Sequence, residues 1–217
     1  MRIAVLGGSG KLGQGLCVRW AGTGHQVMVG SRDQTKGQEL ARQYLELARA
    51  RFGHTVQIDG GSNLQAAEGA EVVVLAVPHP GLESLLEQVP RPGGLIICPV
   101  VPMKRGSGGF LHDPGPDGSA AARVARAWGA NGLVAAMHTL PAAKLASELP
   151  DLEQDALLAA DDQQSASVCA ALISELGVRV LMAGGLAVAP VLESLTPMIL
   201  NVARLGRLHD LGLKLIG

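Results

Sequence analysis

Three glycines at a fixed spacing, Gly8-x-Gly10-x-x-Gly13, stand in the opening run "MRIAVLGGSGKLG", and the segment "GSRDQTK", Gly30 to Lys36, follows the apolar "HQVMV". Glycines so placed between a strand and a helix let backbone come close to a pyrophosphate. The helix beginning near Lys11 and Leu12 then offers free N–H groups and a positive end. Gly8 is expected to make the tight turn, Gly10 the close approach and Gly13 the packing of helix on strand. The second segment falls where a dinucleotide site often carries an acidic residue for the ribose. Here Ser31 and Arg32 take that place, with Lys36 one helical turn on. A hydroxyl, a guanidinium and an ammonium attract a 2′-phosphate that a carboxylate would repel, so NADP is expected rather than NAD. Ser9, inside the glycine turn, adds a hydroxyl near the same phosphates.

Further along, "AAMHTLPAAK" ends an apolar run at His138, and "ESLTP" sets Ser194 and Thr196 just before Pro197. A histidine at the carboxyl end of a strand lies where ligands bind in open α/β sheets, yet it is as readily a packed or capping residue. Thr139 offers an alternative cap for the helix after Pro141. A proline inside a helix frees backbone groups and often marks a ligand wall. No Ser-His-Asp set, carboxylate pair or His/Cys metal pattern emerges, and His25, His54, His79, His112 and His209 are given no role. Hydride transfer needs none of these, only reacting carbons held about 3 to 3.5 Å apart in a dry slot.

The elements that must position these residues read as follows. "RIAVLGG", "QVMVGSR" and "VQIDG" are strands separated by the helices "KLGQGLCVRWAGTGH" and "QTKGQELARQYLELARARFG". "EVVVLAVP" and "GGLIICPVVP" lack polar alternation, as expected of strands covered on both faces. Ala76, Val77 and Pro78, at the end of the first of these, join the expected cofactor contacts. The pattern through Pro102 is that of a Rossmann-type, doubly wound parallel sheet. Residues 103 to 118, dense in Gly and Pro, are expected to form an irregular loop near the ligand. "SAAARVARAWG", "GLVAAMH" and "PAAKLASEL" follow as helix, strand and short helix, with Pro141 expected at the first helical position.

The main domain is placed at 1–150 and a smaller C-terminal lobe at 151–217, the lobe consisting of a βαβ-like unit and a long helix, "LAVAPVLESLTPMILNVARLG". That helix is too apolar to face water on any side, which predicts packing against the main domain or a second subunit, and hence a homo-oligomer, a dimer first.

Composition narrows the classes. The 217 residues carry a formal charge of −1 and only five aromatic side chains, two Trp, one Tyr and two Phe, which argues against nucleic acid. Cys17, Cys98 and Cys169 sit far apart in apolar runs and read as buried thiols. No signal peptide or run of eighteen apolar residues is apparent, so a cytoplasmic protein with no membrane partner is expected.

Taken together, "IAVLGGSGKLGQGL", "GHQVMVGSRDQTK", "PVVPMKRGSGGF", "AAMHTLPAAKLA" and "VLESLTPMILN" resemble, in order and spacing, the NADPH-dependent reductases of the deazaflavin coenzyme F420. The first two are shared with many NADP enzymes; the last three are more particular. The resemblance implies a small Rossmann domain holding NADP, with F420 over the nicotinamide in a cleft closed by the C-terminal lobe, and direct hydride transfer between them. It implies that Ser9, Ser31, Arg32 and Lys36 hold the NADP phosphates. His138, Leu140, Ser194 and Thr196 would line the deazaflavin pocket, with Val100, Val101 and Pro102 as its apolar wall. Some members carry an arginine shortly before "ESLTP"; this chain has Pro190 there, and Lys104 and Arg105 are the nearest candidates for replacing its charge. Two other readings stand beside it, an NADPH-dependent reductase of an imine or ketone, and a non-catalytic NADP-sensing module.

Overall fold

The computed structural model describes residues 1–53, 55–147 and 152–216. The expected domain boundary at Pro150 and Asp151, and His54, lie outside the described residues. From the amino end come β1 (Arg2–Leu6), α1 (Lys11–Gly22), β2 (Gln26–Ser31), α2 (Gln34–Phe52), β3 (Gln57–Ser62), α3 (Asn63–Ala67), β4 (Val72–Leu75), α4 (His79–Gln88) and β5 (Leu95–Cys98). After a hairpin of β6 (Met103–Gly106) and β7 (Gly109–His112) come α5 (Ala120–Trp128), β8 (Leu133–Ala136), α6 (Ala142–Ala146), β9 (Asp155–Ala160), α7 (Gln163–Ser174) and β10 (Arg179–Gly184). A short 3₁₀ turn, Leu186–Val188, leads into α8 (Ala189–Gly206).

Eight strands form one sheet in the order β10-β9-β8-β5-β4-β1-β2-β3, and β6 and β7 pair separately. Period-2 alternation decides the layering. Ile3, Val5, Val72 and Val74 face one buried cluster, while Ala4, Leu6, Val73 and Leu75 face another, so the central strands have no wet side. Helices must cover both faces, and they do: Leu16, Trp20 and Tyr44 pack on the first, Leu82, Leu85 and Val124 on the second. The three cysteines are free and buried, as their apolar neighbours predict.

Two elements differ from the sequence reading. Residues 103–118 are not irregular throughout, because Met103 pairs with His112 and Gly106 with Gly109 in an antiparallel ribbon. The ribbon is held from outside: Asn201 of α8 accepts the Phe110 N–H and donates to the Phe110 carbonyl, both at 2.8 Å, and Arg204 donates to the Gly108 carbonyl at 2.6 Å. Pro141 is the N-cap of α6 and not its first helical residue. Within the one chain the last helix is covered on one side only. Ala189, Leu192, Glu193 and Pro197 are buried, but Val191, Met198, Val202 and Leu205 are exposed.

The strands β9 and β10 extend the main sheet. Both run opposite to its other members, since β9 pairs antiparallel with β8 and β10 parallel with β9. The end of β9 therefore lies beside the start of β8, Ala160 opposite Val134. From there α8 crosses the sheet toward the carboxyl ends of the parallel strands, with Ala189 and Leu192 packed on Ala121, Ala135 and Ala159.

Candidate functional site

Everything the sequence singled out lies along the carboxyl edge of the parallel strands, where the strand order sets it in a row. Ser31 ends β2 and Arg32 follows it, the glycine loop follows β1, Ala76–Pro78 follow β4, Val100–Pro102 follow β5, and His138 follows β8. From β2 to β8 is four strand steps, about 19 Å at the usual spacing. That length suits an extended dinucleotide with a second ring beside its far end.

The glycine loop is fixed by its neighbours. The left-handed residue is Gly7, at φ +73°, and not Gly8 as the spacing suggests; a side chain at Gly7 would also strike Val77. Asn63 accepts the Gly7 N–H at 3.1 Å, the Gly8 N–H reaches the Gly30 carbonyl at 3.0 Å, and the buried Tyr44 hydroxyl donates to the Gly8 carbonyl at 2.8 Å. Gly13 lets α1 close on the loop, since a Cβ there would lie 2.5 Å from the Gly8 Cα. Gly10 is the N-cap of α1 and has no side chain to bond the first amides, and nothing lies within 4 Å of where its Cβ would be. Lys11 is exposed and Leu12 half-buried at the start of α1. The helix end is thus open toward an anion.

Next to it is a cleft of about 580 Å³ lined by Gly7, Ser9, Ser31, Arg32, Lys36, Asn63, Val77 and Pro78, with α4 residues on the far side. The structure brings together here all four predicted phosphate ligands. Asp33 lines the same cleft, and one of its oxygens is taken by the helix, accepting the Lys36 N–H at 2.7 Å as the N-cap of α2. That cap orients the first turn so that Arg32 and Lys36 are exposed beside the cleft.

The other end of the row is apolar and dry. Val100, Pro102 and Leu140 are buried, and Val101 is half-buried. His138 is 6% exposed, and neither ring nitrogen has a hydrogen-bond partner among the described residues. Burial pushes its pKa down to about 4, weakly opposed by the nearby Cys98 backbone, so the imidazole is neutral at ordinary pH. It is aimed by strained backbone: Met137 just before it holds φ +68°, uncommon for a residue with a side chain. Thr196 of α8 donates to the His138 carbonyl at 2.7 Å, which joins the last helix to this strand end. Ser194 lies half-buried two residues earlier, its hydroxyl donating to the Val191 carbonyl at 2.7 Å. Thr139 is buried and caps nothing, the α6 cap being Pro141.

The chain matches, over residues 2–102, the family described as "NADP oxidoreductase coenzyme F420-dependent". It is 34% identical over 222 residues to an F420-dependent NADP reductase of Methanothermobacter marburgensis, covering 99% of this chain and 98% of that one. The chain belongs to the F420-dependent NADP reductase family. Another member, from Methanocaldococcus jannaschii, is 29% identical over 208 residues, 93% of this chain and 92% of that one. A crystal structure of a protein from Arthrobacter sp. FB24, provisionally assigned as an F420-dependent NADP reductase, superposes over the whole of both chains with a TM-score of 0.79 at 21% identity, a likeness of fold.

Sequence reasoning missed three residues of this reductase site. Tyr44, Asn63 and Glu193 each hold in place a segment that carries expected ligand residues. Tyr44 is the chain's one tyrosine, and Glu193 is the one acidic residue of a mostly apolar helix. Those two oddities were readable as signals; Asn63 offered none.

Proposed function

We propose that this chain moves a hydride directly between NADPH and coenzyme F420. The observation that carries the reading is the row itself, a cationic phosphate grip at one end and a buried, unpartnered, neutral imidazole at the other. Ser9, Ser31, Arg32 and Lys36 hold the phosphates, aided by the open start of α1. Val100, Val101 and Pro102 form the wall against a flat ring. His138, Leu140, Ser194 and Thr196 line the acceptor side. When both ligands are bound they supply the chemistry, one hydride passing between the nicotinamide and the deazaflavin with one accompanying proton. The protein's share is to bind, align and exclude water. A neutral His138 has one ring nitrogen to donate and one to accept, so it can orient a polar ring without carrying charge into the slot.

Pro190 has a structural rationale, since it stands in the first turn of α8, where a missing N–H leaves no intrahelical bond unmade. The charge that an arginine would bring there is absent. The division of labour between residues 1–150 and a closing part at 151–217 belongs to this proposal, and so do a cytoplasmic location and a homodimer. The stretch Leu186–Gly206 reaches a mean hydropathy of 1.5, enough by length and composition to cross a membrane. Its polar seats on α5, β8 and the hairpin favour a packed helix instead. The exposed Val191, Met198, Val202 and Leu205 recur at helical spacing and present an apolar stripe along α8, as a face for a second copy.

The test is to mix purified protein with NADPH and oxidised F420 and follow loss of the deazaflavin's visible absorbance. Turnover of imines or ketones with none of F420 would redirect the reading to another small acceptor, and NADP binding without turnover of any acceptor would point to a sensing module.

A further inference from the structure

Glu193 is completely buried, an unusual place for an acidic side chain. It sits at the turn of α8 that bears Ser194 and Thr196, and its two oxygens accept the first amides of α5, Ala120 N–H at 2.9 Å and Ala121 N–H at 3.1 Å. Ser119, the N-cap of α5, takes the next amide, that of Ala122, at 2.9 Å. The buried start of α5 is thus satisfied by two side chains, one of them delivered from a helix 72 residues away in the sequence. His112 of the hairpin faces the same carboxylate from the other side, its Nε2 3.8 Å from Oε2 and without a hydrogen bond.

Pro197 makes this anchor consequential. It stands four residues after Glu193 and has no N–H, so the Glu193 carbonyl loses the bond that would close that turn. The helix is weakest between Glu193 and Pro197, the segment that carries Thr196 to the His138 carbonyl. Beyond that turn, Asn201 and Arg204 fix α8 to the hairpin. Before it, Glu193 makes the polar contacts that tie α8 to α5.

We propose that Glu193 is a positioning residue for the acceptor side: by gripping the first two amides of α5, it fixes the proline-weakened turn of α8 and so sets where Ser194 and Thr196 meet the ring next to His138. This inference rests on the reading of that pocket as the F420 side of the site. The dinucleotide side depends on β1, β2 and their loops, which α8 does not touch through Glu193.

The experiment compares wild type with Glu193→Ala and Glu193→Gln in steady-state assays and in amide hydrogen exchange. Glu193→Ala is expected to raise KM for F420 by about tenfold or more while KM for NADPH stays within about twofold. Glu193→Gln, which keeps the volume and one acceptor but turns an amide donor toward α5, falls between. Faster exchange at Ala120 and Ala121, without a general rise over the central strands, supports the mechanism. An unchanged KM for F420, or an equal rise in both KM values, overturns it. If wild type turns over no F420, the proposed function fails; unaltered exchange at the two amides in Glu193→Ala would then independently overturn the anchor.

Discussion

At the scale of single residues, the phosphate grip is the simplest to test. Arg32 is exposed beside the cleft and has no acidic partner in the described contacts, so its charge is available to a ligand. Replacing Arg32 by Asp is expected to weaken NADP binding by roughly a hundredfold, the scale of one lost charge-assisted contact plus a new repulsion. NAD should lose far less, and titration calorimetry with both cofactors reads the difference; equal losses would show that Arg32 does not sense the 2′-phosphate. This grip was legible because its members are close in sequence. Glu193 and His138 gain their character from partners and burial that no local window contains. Burial raises the Glu193 pKa from 4.5 to about 7 against the opposing pull of the α5 amides, and lowers that of His138 from 6.5 to about 4. The signs follow from which state binds the proton more tightly. Folded protein holds a proton on Glu193 that the unfolded chain has lost, so this contribution is full below pH 4.5 and is lost as pH rises through 7. For His138 the unfolded chain binds the proton first, so stability is lost as pH falls from 6.5 toward 4. The groups facing Glu193 are His112, whose own pKa burial lowers, and Cys98, whose thiol burial pushes up to about 12. Between pH 5 and pH 7.5, wild type is expected to lose a few degrees of Tm relative to Glu193→Gln, on the usual scale for a chain of this size. Parallel Tm curves for the two proteins would contradict the assignment.

At the scale of elements, the glycine loop is a rigid part held by α1, α2 and α3. Gly13→Ala would place a methyl 2.5 Å from backbone, where no flexible side chain can yield. Such overpacking costs typically 1 to 3 kcal/mol, and α1 must shift off the loop. The expected outcome is a lower Tm together with a loss of NADP affinity of about tenfold or more, measured by thermal melts with and without cofactor. A melt that falls while the NADP-induced increment stays intact would separate packing from binding. The same scale explains two of the misreadings. The pattern Gly8-x-Gly10-x-x-Gly13 identifies the motif, but which glycine turns left-handed depends on Val77 crossing from β4, so the turn fell to Gly7. The hairpin at 103–112 has little strand propensity and half its turn is glycine. Asn201 and Arg204 complete its hydrogen bonding from far along the chain, which is why its composition reads as loop.

At the scale of the whole molecule, the parallel sheet through Pro102 was legible because every strand and helix there announces itself by period and punctuation. The direction of β9 was not. "DALLAA" is equally good in either orientation, and only the pairing of Val134 with Ala160 shows that it runs backward. The exposed stripe on α8 carries the prediction at this scale. A double change, Val202→Asp with Leu205→Asp, should shift the mass seen in sedimentation or light scattering from twice 22.3 kDa to a single chain. Wild type that sediments as one chain would remove the stripe as a self-interface.

The bond from Thr196 to the His138 carbonyl spans 58 residues of sequence, and this imposes an order in time. At ribosomal rates of about 5 to 20 residues per second, the chain emerges with its phosphate grip, glycine turn and β5 wall roughly 5 to 20 seconds before α8 exists. The acceptor side is therefore the last part of the site to be completed.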